Sequence, residues 1–297
     1  MNKSAVSPVL LAVILFCSTA QSATPGLFFS SSPHLLISSS PNPSSRDSDS
    51  RKGDDRAPKT APSSMPLSVG EKFAYEVSWA DFVVAGELTI ETRERRPVDG
   101  VDAFHLVASA QSVGLVRAAV FKVDDVYESF VDASTLEPFR AQQQIRHGKK
   151  HDQQTVNIDQ RGRKATFGDG RAVNLQSTTY DLLGLLCAIR TMDFKSAKPR
   201  TFTLIDEDKL YDLQVEVEGR ERVTTRAGAF DCVRLATRAI GQTRSDPYKL
   251  RIFVSDDSRR IPVQITAEPR WGGVRVELVS ANGVKPVENP KPNSRKG

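Results

Sequence analysis

The sequence predicts a mainly β protein: about a dozen antiparallel strands forming a barrel or curved half-barrel, with one amphipathic helix (about residues 178–192) packed on it. Three observations predict it. Apolar and polar residues alternate along most of residues 67–284, the mark of half-buried strands. Turn signals divide these runs at short intervals. A single stretch replaces the alternation with helical spacing. So many strands need either closure or a second layer to protect their edges, which leads to a barrel or half-barrel.

Ahead of this region lies a leader. Lys3 precedes an apolar run of about eight residues, Val9 to Phe16, far short of the roughly 20 needed to cross a bilayer as a helix. Ser18 and Ala20 then place small side chains three and one residues before a cut. Residues 1–20 therefore read as a secretory signal peptide, cleaved after Ala20, with Ser22 and Ala23 as alternatives. Cys17 invites an acylation reading, but Phe16 stands where lipoprotein processing takes a small residue. Residues 21–66 are Ser- and Pro-rich with an alternating-charge patch from Arg46 to Arg56; with little to bury, they are expected to be disordered. The tail, 285–297, has the same character.

The strands follow in order. Phe73, Tyr75, Val77 and Trp79 share one face, with Lys72, Glu76 and Ser78 on the other. Leu88 and Ile90 alternate with Glu87, Thr89 and Glu91. Later come Tyr211 to Val217, Tyr248 to Val254, Ile261 to Ile265 and Val274 to Leu278. Turns are expected at Val98-Asp99-Gly100, Arg146-His147-Gly148, Gly168-Asp169-Gly170, Asp206-Glu207-Asp208 and Ser255-Asp256-Asp257. From Arg140 to Asp159 the alternation turns polar on both sides, through Gln142, Gln143, Gln144 and Gln153. These residues either line a polar cavity or belong to a hairpin projecting into solvent, and the projecting hairpin is preferred. In the helix, Thr178 precedes Asp181 by three residues, a capping-box-like start. Leu182, Leu185, Leu186 and Ile189 then fall on one stripe, with Arg190 near the end.

Several of these segments together resemble the bacterial family DUF3108. They are Val69-Gly70-Glu71-Lys72-Phe73 with Tyr75, Trp79 and Ala85-Gly86, and the helix with Tyr180-Asp181-Leu182 and Arg190. Thr224 to Val233 is similar to the family's T-x-x-G-x-F-x-x-V hairpin. Ile252 to Asp257 with Arg260-Ile261-Pro262-Val263 is the most specific piece, and Gly273 with Glu277-Leu278 closes the match. The resemblance spans about residues 67–281. It implies export to the bacterial envelope and a mainly β fold, and it implies no activity.

The residues themselves nominate little chemistry. G-x-S-x-G, H-E-x-x-H, Walker A and G-x-G-x-x-G patterns are all missing from the sequence. His147 and His151, with Asp152, flank a basic turn and are read as solvated rather than metal-binding. His105 is read as a strand histidine rather than a base. Asp206, Glu207 and Asp208 lack the Gly and distal Glu of a calcium loop and read as a turn, as do Asp256 and Asp257. Cys187 and Cys232 either form one disulfide or remain two buried thiols, the thiols being favoured. Arginines on the strands near Arg190 are read as compensating the helix's C-terminal dipole rather than gripping an anionic headgroup. The formal charge of +5 falls to +4 without Lys3 and is scattered among acids, which argues against a nucleic-acid partner. The expectation is a non-catalytic envelope protein with no cofactor, no catalytic or metal residues, and no transmembrane helix after cleavage. It would bind an apolar or amphipathic ligand such as a lipid or glycan, or act as a structural or assembly factor through an envelope protein. No ligand-binding residues are identifiable from the sequence.

Overall fold

The computed structural model describes residues 67–80, 83–120, 122–196, 198–206, 209–240, 249–268 and 273–282. The leader (1–20), the Ser/Pro-rich segment (21–66) and the tail (285–297) expected from the sequence lie outside the described residues, as do Cys17, Glu207, Asp208 and Tyr248.

Fifteen strands form one sheet, against the dozen expected. The surplus is short strands of two to four residues, too brief to show alternation. β1 (Lys72–Trp79) sits at the centre, paired antiparallel with β2 (Val83–Val98) on one side and β15 (Val274–Asn282) on the other. Outward from β2 run β3 (Val101–Ser112), β4 (Asp124–Asp132), β5 (Pro138–His147), β6 (Lys150–Asp159), β7 (Lys164–Phe167) and β8 (Ala172–Asn174). Outward from β15 run β14 (Pro262–Ala267), β13 (Arg251–Ser255), β12 (Gly228–Ala239), β11 (Lys209–Thr225), β10 (Arg200–Asp206) and β9 (Thr179–Tyr180). The strand ends at Trp79, Ser112, His147 and Ala239 share one rim of this wall; those at Lys72, Val98, Asp132 and Ser255 share the other.

The edges β8 and β9 do not pair, so the sheet is a strongly curved, barrel-like wall rather than a closed barrel. Side chains join what the ladder leaves open. Ile205 of β10 packs with Val156, Ile158 and Phe167 of β6 and β7. The Gln160 amide donates to the carbonyls of Pro138 (2.8 Å) and Thr179 (2.7 Å) and accepts from the Thr179 N–H (3.1 Å).

Helix α1 (Leu182–Arg190) lies inside the curve. Seven of its nine residues are buried, because both halves of the wall close on it. Leu183 and Cys187 join the core built on β1 to β4 and β15, whereas Leu185, Ala188 and Ile189 join the core of β10 to β13. A helix this short is marginal alone, so its stability comes from this packing. It begins three residues later than the sequence indicates. Asp181, not Thr178, is the N-cap, accepting from the Gly184 N–H at 3.2 Å. Thr179 is extended and bridged to β10, its N–H and C=O both taken by Gln160, which leaves no demand for a helical turn there. Gly184 is required by close approach: a Cβ there would meet Pro138 Cγ at 2.9 Å.

At the rim where α1 ends, Arg190 and Glu71 form a buried two-pronged ion pair, both contacts 2.8 Å. Arg190 also donates to the Arg259 carbonyl (2.9 Å) and lies over the Phe73 ring. The guanidinium therefore locks the helix to the start of β1 and is sealed from solvent.

Candidate functional site

The helix does not fill the wall. Along its open flank, Leu182 and Leu186 face a trough completed by Val77, Leu88, Ala110, Leu213 and Ile252, enclosing about 990 Å³ of empty space with the open mouth included. Its lining is apolar apart from the Glu87 carboxylate and the Tyr127 phenol. Small side chains make the space: Ala110 stands directly across from Leu88 in the β2–β3 ladder, where a larger residue would reach α1. Most of its strand positions lie toward the rim of Trp79 and Ser112, while Ile90 and Ile189 reach toward the Arg190–Glu71 lock.

A second cleft of about 460 Å³, bordered by both polar and apolar side chains, adjoins the trough, sharing Tyr127, Leu182 and Leu183 with it. Gln143 and Gln154 line this cleft and hydrogen-bond to each other across the β5–β6 ladder. This corrects the projecting hairpin preferred from the sequence. β5 pairs with β4 from Val126 to Val131, so its polar residues belong to the wall, and Gln143 meets the cleft.

Asp181 also lines the cleft. Burial pushes its carboxyl up to about 6, against hydrogen bonds from Ser129 Oγ (2.9 Å) and the Gly184 N–H that favour the charge. The folded value exceeds the 3.8 of an ordinary aspartate, so the fold binds this proton more tightly than the unfolded chain does. Stability from the group is complete below about pH 4 and is lost as pH rises through about 6. Asn caps as well as Asp and carries no charge. Asp181→Asn is therefore expected to raise stability by up to about 3 kcal/mol at pH 8 and leave it nearly unchanged at pH 4. Urea denaturation at the two pH values measures this; an equal effect at both would exclude a charge origin.

The residues weighed from the sequence lie apart from this site and from one another. His147 Nε2 is 2.8 Å from buried Asp125 Oδ2, so it stitches β5 to β4. His151 and Asp152 are exposed at the start of β6. His105 is buried, stacked on Phe130 with centroids 4.5 Å apart, its Nε2 2.7 Å from Glu128. Asp206 pairs with Lys209 in the β10–β11 ladder, and its two acidic neighbours lie outside the described residues. Asp257 Oδ1 accepts from the Arg259 and Arg260 N–H groups, which is the turn expected, while Asp256 pairs with Arg220. Cys187 and Cys232 are free and buried: the first faces the helix core, the second a cluster with Val223, Phe253 and Val263 on the other face of the wall. A bridge between opposite faces is geometrically impossible. Burial pushes both thiols up to about 12, which keeps them unreactive. Among the described residues, no helix is long and apolar enough to cross a membrane.

Fold and cavity together define a class: an open, barrel-like β wall wrapped on a central helix, with an apolar trough along it. Within that class the chain belongs to the family described as "Protein of unknown function (DUF3108)", whose model matches residues 74–279. No curated protein matches it. Among solved structures it is similar to a β-barrel-like protein of the domain DUF1849 from Brucella abortus, at 12% identity and a TM-score of 0.56, over 73% of this chain and 98% of that one. That likeness shows the fold. A candidate lipoprotein from Parabacteroides distasonis aligns at 10% identity and a TM-score of 0.34, over 73% of this chain and 97% of that one.

Proposed function

We propose that the chain is an exported, non-catalytic carrier of an amphipathic envelope lipid, the acyl chain lying along α1 and the polar head at Gln143 and Gln154. The observation that carries this reading is the pairing, along one helix flank, of an apolar trough with a cleft that brings the Gln143 and Gln154 amides beside it. Ligand pockets are typically concave and mostly apolar, with a few polar groups fixing orientation. Each methylene taken from water contributes about 0.8 kcal/mol, so about ten buried methylenes supply about 8 kcal/mol before the costs of association. A glycan fits this lining less well, because its hydroxyls would lose water without gaining partners. Export rests on the leader, with Lys3, the Val9–Phe16 run and the small residues Ser18 and Ala20.

The test is to purify the chain from its native envelope and record native mass spectra alongside an organic extract. A discrete lipid-sized adduct, released on denaturation, is the expected result. A clean apo mass together with a co-purifying protein would instead support an assembly factor and overturn the carrier.

A further inference from the structure

We infer that the rim at the trough's mouth is a docking surface for an anionic lipid bilayer, an inference that deepens the carrier reading and rests on it. Among the described residues, five large apolar side chains are exposed, and four of them lie at this rim: Leu115 (83% exposed), Val120 (66%), Ile240 (50%) and Val84 (41%). Val84 is the second residue of β2, Ile240 follows β12, and Leu115 and Val120 belong to the connection between β3 and β4. That connection begins three residues beyond the trough residue Ala110.

The β3–β4 connection has the composition of a buried segment and the position of an exposed one. Val116 is buried and anchors a single π-helical turn, Val116–Val120, while Leu115, Ala118, Ala119 and Val120 face solvent. The one charge within that turn, on Arg117, is directed away from the tip. The Arg117 guanidinium donates to the carbonyls of Ser112 and Val123 and to the Asp124 carboxylate at 2.8 Å. What remains at the tip is apolar, and a concentrated apolar tip at a cavity mouth marks an interaction site.

The charge beside it identifies the partner. The β5–β6 tip is fastened to the loop by a hydrogen bond from the Gly148 N–H to the Lys122 carbonyl (2.8 Å) and by a bridge between Val123 and His147. This brings exposed Lys122, Lys149 and Lys150 alongside the apolar tip. Segments 113–125 and 146–152 carry five basic side chains against three acidic ones. Of those three, Asp124 is held by Arg117 and lies 3.6 Å from the exposed Lys122 Nζ, Asp125 is buried under His147, and Asp152 is exposed. Apolar side chains flanked by lysines match a bilayer interface with anionic headgroups: the first enter the acyl boundary and the second stay among the phosphates. Docked this way, the trough opens onto the membrane and an acyl chain passes between the two without crossing water.

The test is flotation of the full chain with vesicles of phosphatidylcholine alone or mixed with phosphatidylglycerol. In parallel, a fluorescent fatty acid is titrated without vesicles. The wild type is expected to float with the mixed vesicles and much less with the neutral ones. Leu115→Asp/Val120→Asp should lower flotation at least tenfold while leaving fatty-acid binding and the melting temperature unchanged, since both side chains are exposed. Lys122→Glu/Lys149→Glu/Lys150→Glu should lower binding to the mixed vesicles by a factor of ten or more, and binding to the neutral ones little. A wild type that binds the fatty acid without floating overturns the docking surface and leaves the carrier reading standing. A chain that floats through Leu115 yet binds no fatty acid does the reverse. Equal flotation of the apolar double variant and the wild type overturns the assignment of the rim. So does a photo-crosslinker at position 115 that captures an envelope protein rather than lipid.

Discussion

Arg190→Met is expected to destabilise the fold by about 3–5 kcal/mol, lowering the melting temperature by about 10 °C, because it leaves Glu71 charged, buried and without its partner. The two side chains are nearly sealed from solvent and meet through two contacts of 2.8 Å. The desolvation already incurred by the carboxylate stays when the guanidinium goes. Replacing both partners separates the pair's own contribution from that penalty. Glu71→Leu/Arg190→Met is expected to recover most of the loss, apart from the hydrogen bond to the Arg259 carbonyl. Urea midpoints of the wild type, both single variants and the double variant complete the cycle. Single losses below about 1 kcal/mol would mean that the pair is hydrated and does not lock the helix.

That pair also marks the limit of what the sequence discloses. Glu71 and Arg190 each stand in a segment that resembles the family, yet they are 119 residues apart, and nothing in either segment announces the other. The strands were legible because alternation is local: Leu213 and Val215 face the core and Asp212 and Glu218 face water, as their spacing requires. The helix was legible for the same reason, through Leu182, Leu185, Leu186 and Ile189. Its start was misplaced because the competitor for Thr179 is Gln160, on a different turn of the wall. The Gln-rich strands were misplaced because polar alternation looks the same whether the inward face meets a cleft or the outward face meets solvent. The trough left the faintest trace. A cavity is made by where the sheet curls and by side chains that are small, and Ala110 among strand residues reads simply as weak strand propensity.

Arg190 and Ala110 therefore sit at opposite ends of one division of labour. The rim at Glu71 fixes the helix by a buried ion pair and dense packing, so α1 cannot slide to fill the wall. The other end is left underfilled, with alanine where the ladder has room for more. An underfilled region kept beside a locked one is what a ligand site needs, because the space persists when the ligand leaves. A core that was merely loosely packed would be expected to collapse toward its void.

Filling the trough tests this directly. Ala110→Phe, or Ala110→Phe with Leu186→Phe, places aromatic rings where the proposed acyl chain lies. Binding of a fluorescent fatty acid is expected to fall at least tenfold, and the lipid adduct recovered from the envelope is expected to disappear. The same substitutions should hold stability or raise it by about 0.5–2 kcal/mol, since the added carbons occupy empty apolar space without displacing a partner. Opposite signs on binding and stability are the signature of a functional cavity, because the wild type gives up packing to keep it. Titration and urea denaturation of the same preparations provide both readings. If binding survives with the trough filled, the chain lies elsewhere and the site assignment fails. If stability drops by several kcal/mol, the rings have no room, and the space along α1 is narrower than a chain requires.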